Sequence, residues 1–297
     1  MFRREVFHLR LPSRTRRRGQ RVLVLGKRTL VMGILNVTPD SFSDAGRYRG
    51  VAAAVARALE IERAGADILD IGGESTRPGS LPVSAVVELR RVIPVLEELR
   101  GRLKIPISVD TSKSEVAEAA ADLGAAILND VTGLRADPRL AEVAARRSLP
   151  LILMHMRGEP RTMQKGPFAR SVMRAVDSGL RRSLGVARRA GVRRSQIILD
   201  PGIGFGKSHE QNLELLARLP ELARLGYPLL LGVSRKGFIG RILGGAPPER
   251  RAWGTAAAVA AGIFGGAHII RVHDTAEMAQ VAHVTDAILG AGRAPLP

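Results

Sequence analysis

Short runs of β-branched and aliphatic residues alternate along the chain with longer stretches in which apolar residues recur at helical spacing. The short runs predict strands at 30–35, 67–71, 105–109, 125–128, 151–154, 196–199, 228–233 and 268–272. The longer stretches predict helices at 51–63, 84–100, 113–123, 138–147, 169–190, 210–222, 250–264 and 276–289. Strand and helix units repeated in this way are typical of a parallel sheet.

Eight such units favour a closed barrel over a doubly wound sheet, which usually has about five or six strands. We therefore predict a single (β/α)₈ TIM barrel over residues 21–297, preceded by a basic segment over residues 1–20. A short apolar run at 21–25 lies before the first barrel strand and is compatible with a hairpin that closes the barrel floor. No linker divides the chain further.

Composition narrows the possible classes of protein. The chain has 297 residues, of which 45% are hydrophobic, and this is enough to build a large core and to exclude disorder for most of it. It contains no cysteine, which excludes disulfides, thiolate metal sites and cysteine nucleophiles. No apolar run reaches membrane-spanning length, and the first residues lack the apolar core of a secretory signal, so we expect a cytoplasmic location.

The formal charge of +18 comes mostly from arginine and indicates either an anionic partner or an arginine-rich solvated surface. Outside residues 14–21, the basic residues are spread over predicted helices and do not cluster with aromatic side chains. Nucleic-acid binding usually needs such a cluster. We therefore favour the solvated surface and expect no nucleic-acid partner.

Polar residues follow every predicted strand. In a parallel barrel these positions converge on the mouth at the carboxyl ends of the strands, where we expect an active site. They are Asn36, Asp70, Asp110, Asn129, Asp130, His155, Asp200, Ser234, Arg235, Lys236, Arg271, His273 and Asp274.

Some of these residues have competing local explanations. Ser112 and Glu115 have the spacing of a capping box, which predicts the start of the third helix there and leaves Asp110 for the mouth. Asn129 lies nearer the strand than Asp130, so we expect Asn129 to reach a ligand while Asp130 bonds backbone groups in the turn. Asp200 is either a turn former before Pro201 or, as its place at a strand tip favours, a ligand acceptor.

Three loops remain open to more than one interpretation. The 202–208 run resembles a phosphate loop but has three residues, not the required four, before its Gly-Lys pair, so we expect a tight loop that places Phe205 beside a ligand. The 75–79 sequence Ser-Thr-Arg-Pro-Gly is either a turn or a phosphate-binding loop. The 36–43 run is either a turn or a source of oxygen ligands for Mg²⁺, which would keep water and substrate phosphate as its other ligands.

Together, these residues predict a mouth with acidic acceptors, with Lys236 and Arg271 nearby and with a rim suited to phosphate. Such a mouth suits a planar heterocycle that is rich in hydrogen-bond donors and carries a phosphate or diphosphate. No cluster of histidine and cysteine indicates zinc.

Over residues 31 to about 274, the chain closely resembles the dihydropteroate synthases, the folate-pathway enzymes that sulfonamide drugs inhibit. The matching motifs are MGILNVTPDSFSD at 32–44, GESTRPG at 73–79, SVDT at 108–111, NDV at 129–131, MHM at 154–156, DPG at 200–202, SRK at 234–236 and RVHD at 271–274. The resemblance implies that 6-hydroxymethyl-7,8-dihydropterin diphosphate condenses with 4-aminobenzoate, assisted by magnesium. It also implies a homodimer and sulfonamide inhibitors.

The resemblance assigns roles to residues by motif. The implied catalytic residues are Asp110, Lys236 and Arg271, and the implied pterin-binding residues are these three with Asn129 and Asp200. The implied diphosphate-binding residues are Asn36, Thr76, Arg77, Arg271 and His273, with Asn36 also touching the metal. The implied 4-aminobenzoate-binding residues are Phe42, Arg77, Pro78, Phe205, Ser234 and Lys236.

The chain departs from the family pattern at Ile203, where a second phenylalanine is common, at Ala45, where glycine is common, and in its arginine-rich beginning. Two related alternatives are a pterin-binding methyltransferase barrel, which has no need of the 75–79 loop or of Ser234-Arg235-Lys236, and an inactive paralogue that binds pterin without turnover. A nucleic-acid-binding protein is a more distant alternative.

Overall fold

The computed structural model describes residues 4–12, 22–38, 47–166 and 168–291. The strands are β1 (Phe7–Arg10), β2 (Val22–Leu25), β3 (Leu30–Asn36), β4 (Ile68–Gly72), β5 (Ile107–Asp110), β6 (Ile127–Asp130), β7 (Leu151–Met154), β8 (Ile197–Asp200), β9 (Leu230–Leu231) and β10 (Ile269–Val272). The helices are α1 (Arg47–Arg63), α2 (Ala85–Leu99), α3 (Ser114–Asp122), α4 (Arg139–Arg147), α5 (Val172–Arg189), α6 (His209–Ala217), α7 (Leu219–Ala223), α8 (Gly237–Ile242), α9 (Ala252–Phe264) and α10 (Thr275–Ala291).

Strands β3 to β10 form one parallel sheet in the order β8-β7-β6-β5-β4-β3-β10-β9. The ends of this sheet meet, because Leu199 at the end of β8 bridges to Leu229 before β9 and donates its N–H to the Pro228 carbonyl at 2.9 Å. The sheet is therefore closed, and the predicted (β/α)₈ barrel is confirmed. Only β9 is much shorter than its predicted range, since it is reduced to two residues.

The hairpin at the barrel floor is confirmed. Strand β1 pairs antiparallel with β2, and Leu9 and Leu25 pack with Met32, Ile198 and other residues near the amino ends of the barrel strands. The floor is thus sealed by apolar side chains, which leaves the opposite end of the barrel open to solvent and substrate. The predicted division at residue 20 falls between the two strands of this hairpin, so the basic segment contributes β1 to the floor.

The helices follow the predicted pattern with three differences. The predicted capping box at Ser112 is wrong, because α3 begins at Ser114, whose N–H and hydroxyl both bond the Asp137 carboxylate. The helix predicted at 210–222 is divided into α6 and α7, since Pro220 lies in the first turn of α7 and cannot continue an unbroken helix. Helix α8 lies directly after the mouth residues that follow β9 and was not predicted.

None of the helices in the described parts of the chain is long and apolar enough to cross a membrane.

Candidate active site

A pocket of about 60 Å³ lies at the carboxyl ends of the barrel strands. Its walls contain residues from strand ends and the loops after them, which the sequence predicted at the mouth. Apolar residues and glycines complete the lining. The lining residues are Ile34, Asn129, Val131, Met154, Asp200, Gly202, Ile203, Phe205, Gly232, Ser234, Lys236, Arg271 and His273. The structure therefore brings together side chains that lie as much as 239 positions apart in sequence, since Ile34 and His273 both line this pocket.

A network of charged side chains crosses the floor of this pocket. Arg271 on β10 donates from Nε to Asp70 Oδ2 on β4 at 2.6 Å and from Nη2 to Asp110 Oδ2 on β5 at 2.7 Å. Asn129 on β6 donates from Nδ2 to the same Asp70 oxygen at 3.0 Å. Asp70 is fully buried, so it is the anchor that orients both Arg271 and Asn129. Sequence analysis placed Asp70 at a strand end but gave it no function.

The pKa values of three pocket residues are shifted toward neutrality. Burial raises the pKa of Asp110 to about 7, although the Arg271 guanidinium opposes the shift. Burial also raises the pKa of Asp200 to about 6, against the Gly202 N–H that bonds its carboxylate at 2.7 Å. The pKa of Lys236 falls to about 8 because burial outweighs the attraction of Asp200. The pocket therefore changes its charge between mildly acidic and mildly alkaline pH.

The side of the pocket next to β8 and β9 is built around Lys236. Its ammonium nitrogen lies 4.0 Å from the centre of the Phe205 ring, a distance typical of a cation–π contact. Gly204 approaches the Lys236 side chain so closely that a Cβ at this position would lie 2.9 Å from Lys236 Cδ. The 202–208 run, called the glycine-rich loop from here on, therefore places Phe205 in the wall of the pocket, as predicted.

Ser234 and His273 form a neutral hydrogen-bonded pair on the rim. Ser234 Oγ lies 3.0 Å from His273 Nδ1 and accepts the His273 backbone N–H at 3.2 Å. Burial, reinforced by Arg271, lowers the pKa of His273 to about 3, so the imidazole is uncharged at neutral pH. Beside this pair, Arg235 forms an ion pair with Asp274, which ties the loop after β9 to the loop after β10.

A second cavity, of about 330 Å³, shares Val131 with the first and extends to the other side of the mouth. Its walls are the loops after β4, β5, β6 and β7, and they include Thr76 and Asp110. Asp110 thus faces this cavity while it is ion-paired with Arg271 of the smaller pocket.

Several predicted site residues lie away from the smaller pocket. Arg77 and Pro78 are exposed and line neither cavity. The neighbouring Gly79 donates its N–H to the Pro160 carbonyl at 3.0 Å, so their loop leans toward the segment after β7. Asn36 is half-buried at the end of β3. Phe42 lies outside the described residues.

The base of the 73–84 loop is held by charges that sequence analysis did not single out. Lys113 donates to Glu74 at 2.5 Å and to the fully buried Glu88 on α2 at 2.6 Å. Glu74 also accepts the Val83 N–H at 3.1 Å, so one carboxylate bonds both ends of the loop. The base of the loop is therefore anchored, and Arg77 and Pro78 lie exposed at its tip.

Within the described ranges, no group of three or more His, Cys, Asp or Glu residues has the arrangement of a metal site. No described residue bonds the Asn36 side chain, whose carbonyl oxygen is a suitable ligand for a hard cation. This arrangement fits a cation that takes most of its ligands from substrate and water.

Comparison with known proteins supports one family. A model of the pterin binding enzymes matches residues 32–273. The dihydropteroate synthase of Synechocystis is 50% identical over 91% of this chain and 93% of its own length. The structure of Xanthomonas albilineans dihydropteroate synthase with 4-aminobenzoic acid superposes with a TM-score of 0.84 at 44% identity, covering 93% of this chain and 97% of the other.

A second solved structure, Yersinia pestis dihydropteroate synthase in complex with a sulfonamide drug, also superposes with a TM-score of 0.84. It is 42% identical and covers 91% of this chain and 97% of its own. These matches extend over nearly the whole barrel and include every strand that contributes to the pocket. The chain therefore belongs to the dihydropteroate synthases, transferases of the pterin binding enzyme family.

Proposed function

We propose that this chain joins 6-hydroxymethyl-7,8-dihydropterin diphosphate to 4-aminobenzoate, giving 7,8-dihydropteroate and diphosphate. The observation that carries the proposal is the smaller pocket, whose lining combines two acceptors, Asp200 and Asn129, with Lys236 and with Arg271, which is ion-paired to Asp110. These groups match the donors and acceptors of a pterin ring, and the ion pair lies where charge would develop.

The orientation of Asn129 follows from its partner. Asp70 is ion-paired with Arg271 and accepts from Asn129, so the Asn129 amide turns its Nδ2 toward Asp70 and its carbonyl oxygen away. That oxygen and the Asp200 carboxylate form an acceptor pair suited to the amino and ring N–H donors of the pterin. Lys236 donates to the oxygen and nitrogen acceptors of the ring.

Replacing Asp200 with Asn is expected to weaken pterin binding by about 1.5 to 3 kcal/mol, because a charged acceptor for two N–H donors becomes a neutral amide. Calorimetric titration with a pterin analogue measures the change. Asp177, a partly exposed carboxylate on α5, provides the matched control, and Asp177→Asn should bind pterin normally. Equal pterin affinity of Asp200→Asn and wild type would contradict this orientation.

The chemical step needs positioning and electrostatics but no covalent nucleophile. The bond between the pterin methylene and the diphosphate oxygen breaks, and its electron pair leaves with diphosphate. The remaining cation is delocalised over the ring and stabilised by the Asp110 carboxylate. The arylamine nitrogen of 4-aminobenzoate then forms the new C–N bond and loses a proton.

The leaving group would be held at the rim by Thr76, Arg77, Arg271, neutral His273 and Asn36. Asn36 would provide the protein ligand of a magnesium ion, which supplies neutralising charge to the diphosphate when bound. Arg77 is free to join the site because it lies at the exposed tip of the 73–84 loop.

Magnesium and diphosphate are expected to bind with mutual enhancement, each raising the affinity of the other by about tenfold, because most metal ligands come from the diphosphate. Calorimetry with diphosphate in the presence and absence of magnesium measures this coupling. In Asn36→Ala the dependence of diphosphate affinity on magnesium should shrink, because the protein ligand of the metal is lost. A diphosphate affinity that does not depend on magnesium would rule out this role of Asn36.

The second substrate would occupy the space framed by Phe42, Arg77, Pro78, Phe205, Ser234 and Lys236. The Xanthomonas relative with 4-aminobenzoic acid and the Yersinia relative with a sulfonamide support this assignment. We expect sulfonamides to compete with 4-aminobenzoate here. Ile203, which is 1% exposed in the same wall, would take the place of the second aromatic ring common in the family.

A homodimer is supported by an apolar surface on α9 and α10, two helices that pack against each other. Helix α9 contains no charged residue, and its Trp253 is 88% exposed. Phe264 on α9 and Val284 and Ile288 on α10 are also exposed. A surface of this kind on two adjacent helices is typical of a contact between subunits.

Trp253→Asp should shift the protein from dimer to monomer, because a large aromatic anchor in an interface typically contributes about 2 kcal/mol or more. Light scattering after size-exclusion chromatography gives the mass directly. Val86 on α2 is another exposed apolar residue, and Val86→Asp is the control that should remain dimeric. A monomeric wild type would remove the basis for this interface.

A further inference from the structure

Lys207 is buried at the end of the glycine-rich loop, just before α6, and the proposed mechanism does not use it. Its residue exposure is 2%, and its three ammonium donors have three carbonyl acceptors. Nζ lies 3.1 Å from the His155 oxygen, 2.7 Å from the Gly202 oxygen and 3.0 Å from the Phe205 oxygen. The ammonium therefore joins the segment after β7 to both ends of the 202–205 turn.

Burying an ammonium group costs desolvation free energy. Removal from water disfavours the charged form, and burial accordingly lowers the pKa of Lys207 to about 7, although the Asp200 carboxylate opposes the shift. A methionine would fill a similar volume without this penalty. The carbonyl acceptors thus indicate that the side chain is selected for its three donors and not for packing.

The loop that Lys207 holds has an unusual backbone. Gly202, Gly204 and Gly206 all have positive φ, at 69°, 86° and 65°. This backbone directs the carbonyls of Gly202 and Phe205 toward the ammonium. A Cβ at Gly202 would lie 2.0 Å from the His155 oxygen, so the loop also packs directly on the segment after β7.

Other groups also hold this loop. Arg157 donates to the Gly206 carbonyl at 3.1 Å, Gln164 to the Gly204 carbonyl at 2.7 Å, and Asn212 accepts the Gly204 N–H at 2.6 Å. Lys207 differs from these three groups because it bonds the carbonyl of Phe205 itself. It is the group most directly coupled to the residue that contacts Lys236.

We propose that Lys207 is a positioning residue for the second substrate: its ammonium fixes the glycine-rich loop in the conformation that presses Phe205 against Lys236. This inference rests on the proposed function, in which Phe205 frames 4-aminobenzoate. Asp200 and Asn129 lie on strands β8 and β6, and Asp200 is bonded to the loop through the Gly202 N–H, so their contacts with pterin should depend on Lys207 less than the position of Phe205 does.

Steady-state kinetics of Lys207→Met tests the proposal, with Lys27→Met, an exposed lysine at the barrel floor, as the matched control. We expect the KM for 4-aminobenzoate to rise about tenfold in Lys207→Met, which corresponds to about 1.4 kcal/mol. The KM for the pterin substrate should change less than about twofold. Lys207→Gln, which keeps a donor, should fall between Lys207→Met and wild type.

Phe205→Ala separates this proposal from the function on which it rests. If Phe205→Ala raises the KM for 4-aminobenzoate while Lys207→Met does not, Lys207 has no positioning role and the pocket assignment stands. If Phe205→Ala has no effect, the pocket assignment itself fails. If Lys207 and Phe205 act through the same contact, the KM for 4-aminobenzoate of the double variant should be little higher than that of Phe205→Ala alone.

A merely structural role would appear as lower thermal stability with unchanged KM values in measurements well below the unfolding temperature. That result would overturn the proposal. Failure of both Lys207→Met and Lys207→Gln to yield folded protein would also overturn it, because Lys207 would then serve the fold as a whole.

Discussion

Asp110→Asn should lower kcat by about 100-fold to 1000-fold, the effect expected when one preorganised electrostatic group is lost from a reacting centre. Asp110 is 8% exposed, ion-paired with Arg271, and faces the larger cavity. Asparagine keeps the shape of the side chain but removes the negative charge that would stabilise the pterin-methyl cation. Quenched-flow or steady-state turnover measures the loss, and thermal unfolding serves as the control for an intact fold.

The pH dependence gives a second readout of the same residue. Because burial raises the pKa of Asp110 to about 7, its carboxylate is progressively neutralised below neutral pH. The kcat/KM of the wild type should therefore fall as the pH drops through 7, and it should fall again above the pKa of Lys236, about 8, as the ammonium is lost. Asp110→Asn should lack the acidic limb near 7. A wild-type rate that is flat between pH 6 and pH 8 would contradict the role of Asp110.

Asp70→Ala should destabilise the fold by about 3 to 5 kcal/mol, the range for removing one partner of a buried ion pair. Asp70 is fully buried and bonds both Arg271 and Asn129, so its removal leaves the Asn129 amide without this acceptor and the Arg271 guanidinium with Asp110 as its remaining partner. Urea unfolding measures the free energy of unfolding.

The matched control for Asp70 is Glu60→Ala, which removes the exposed carboxylate that pairs with Arg57 on α1. Exposed ion pairs contribute about 0 to 1 kcal/mol, so Glu60→Ala should unfold almost like wild type. If the free energy of unfolding falls by the same small amount in the two variants, Asp70 does not anchor the network.

The barrel and its mouth could be predicted from local patterns, because each strand is a short apolar run whose last polar residue faces the open end. Asp200 illustrates this, since the strand 197–200 ends at the residue that lines the pocket. The hairpin at the barrel floor could also be predicted, because the apolar run at 21–25 precedes the first barrel strand. The pattern of apolar residues was sufficient to predict these elements.

Contacts between distant units could not be predicted in the same way. The function of Asp70 depends on Arg271, which is 201 positions away. Ser112 has the spacing of a capping residue, yet the helix begins at Ser114 because Asp137 from the next β/α unit bonds it. Lys207 belongs to the 202–208 run, which resembles a phosphate loop. Only the fold reveals that its ammonium bonds carbonyls of the protein itself.

The resemblance to a family supplied a set of residues but not their positions in the fold. Arg77 and Pro78 were assigned to the 4-aminobenzoate pocket, yet their loop is bonded to Pro160 and leaves both residues exposed. Nothing in the local sequence indicates where a loop tip rests, because its position depends on partners in other loops.

We propose that this pocket releases diphosphate from the pterin substrate in order to join the pterin to an arylamine. A coupled assay of diphosphate release, run with magnesium and with or without 4-aminobenzoate, tests this most directly. We expect release to depend on 4-aminobenzoate and to yield one dihydropteroate for each diphosphate. An equal rate without 4-aminobenzoate, or binding of the pterin substrate with no release at all, would contradict the account.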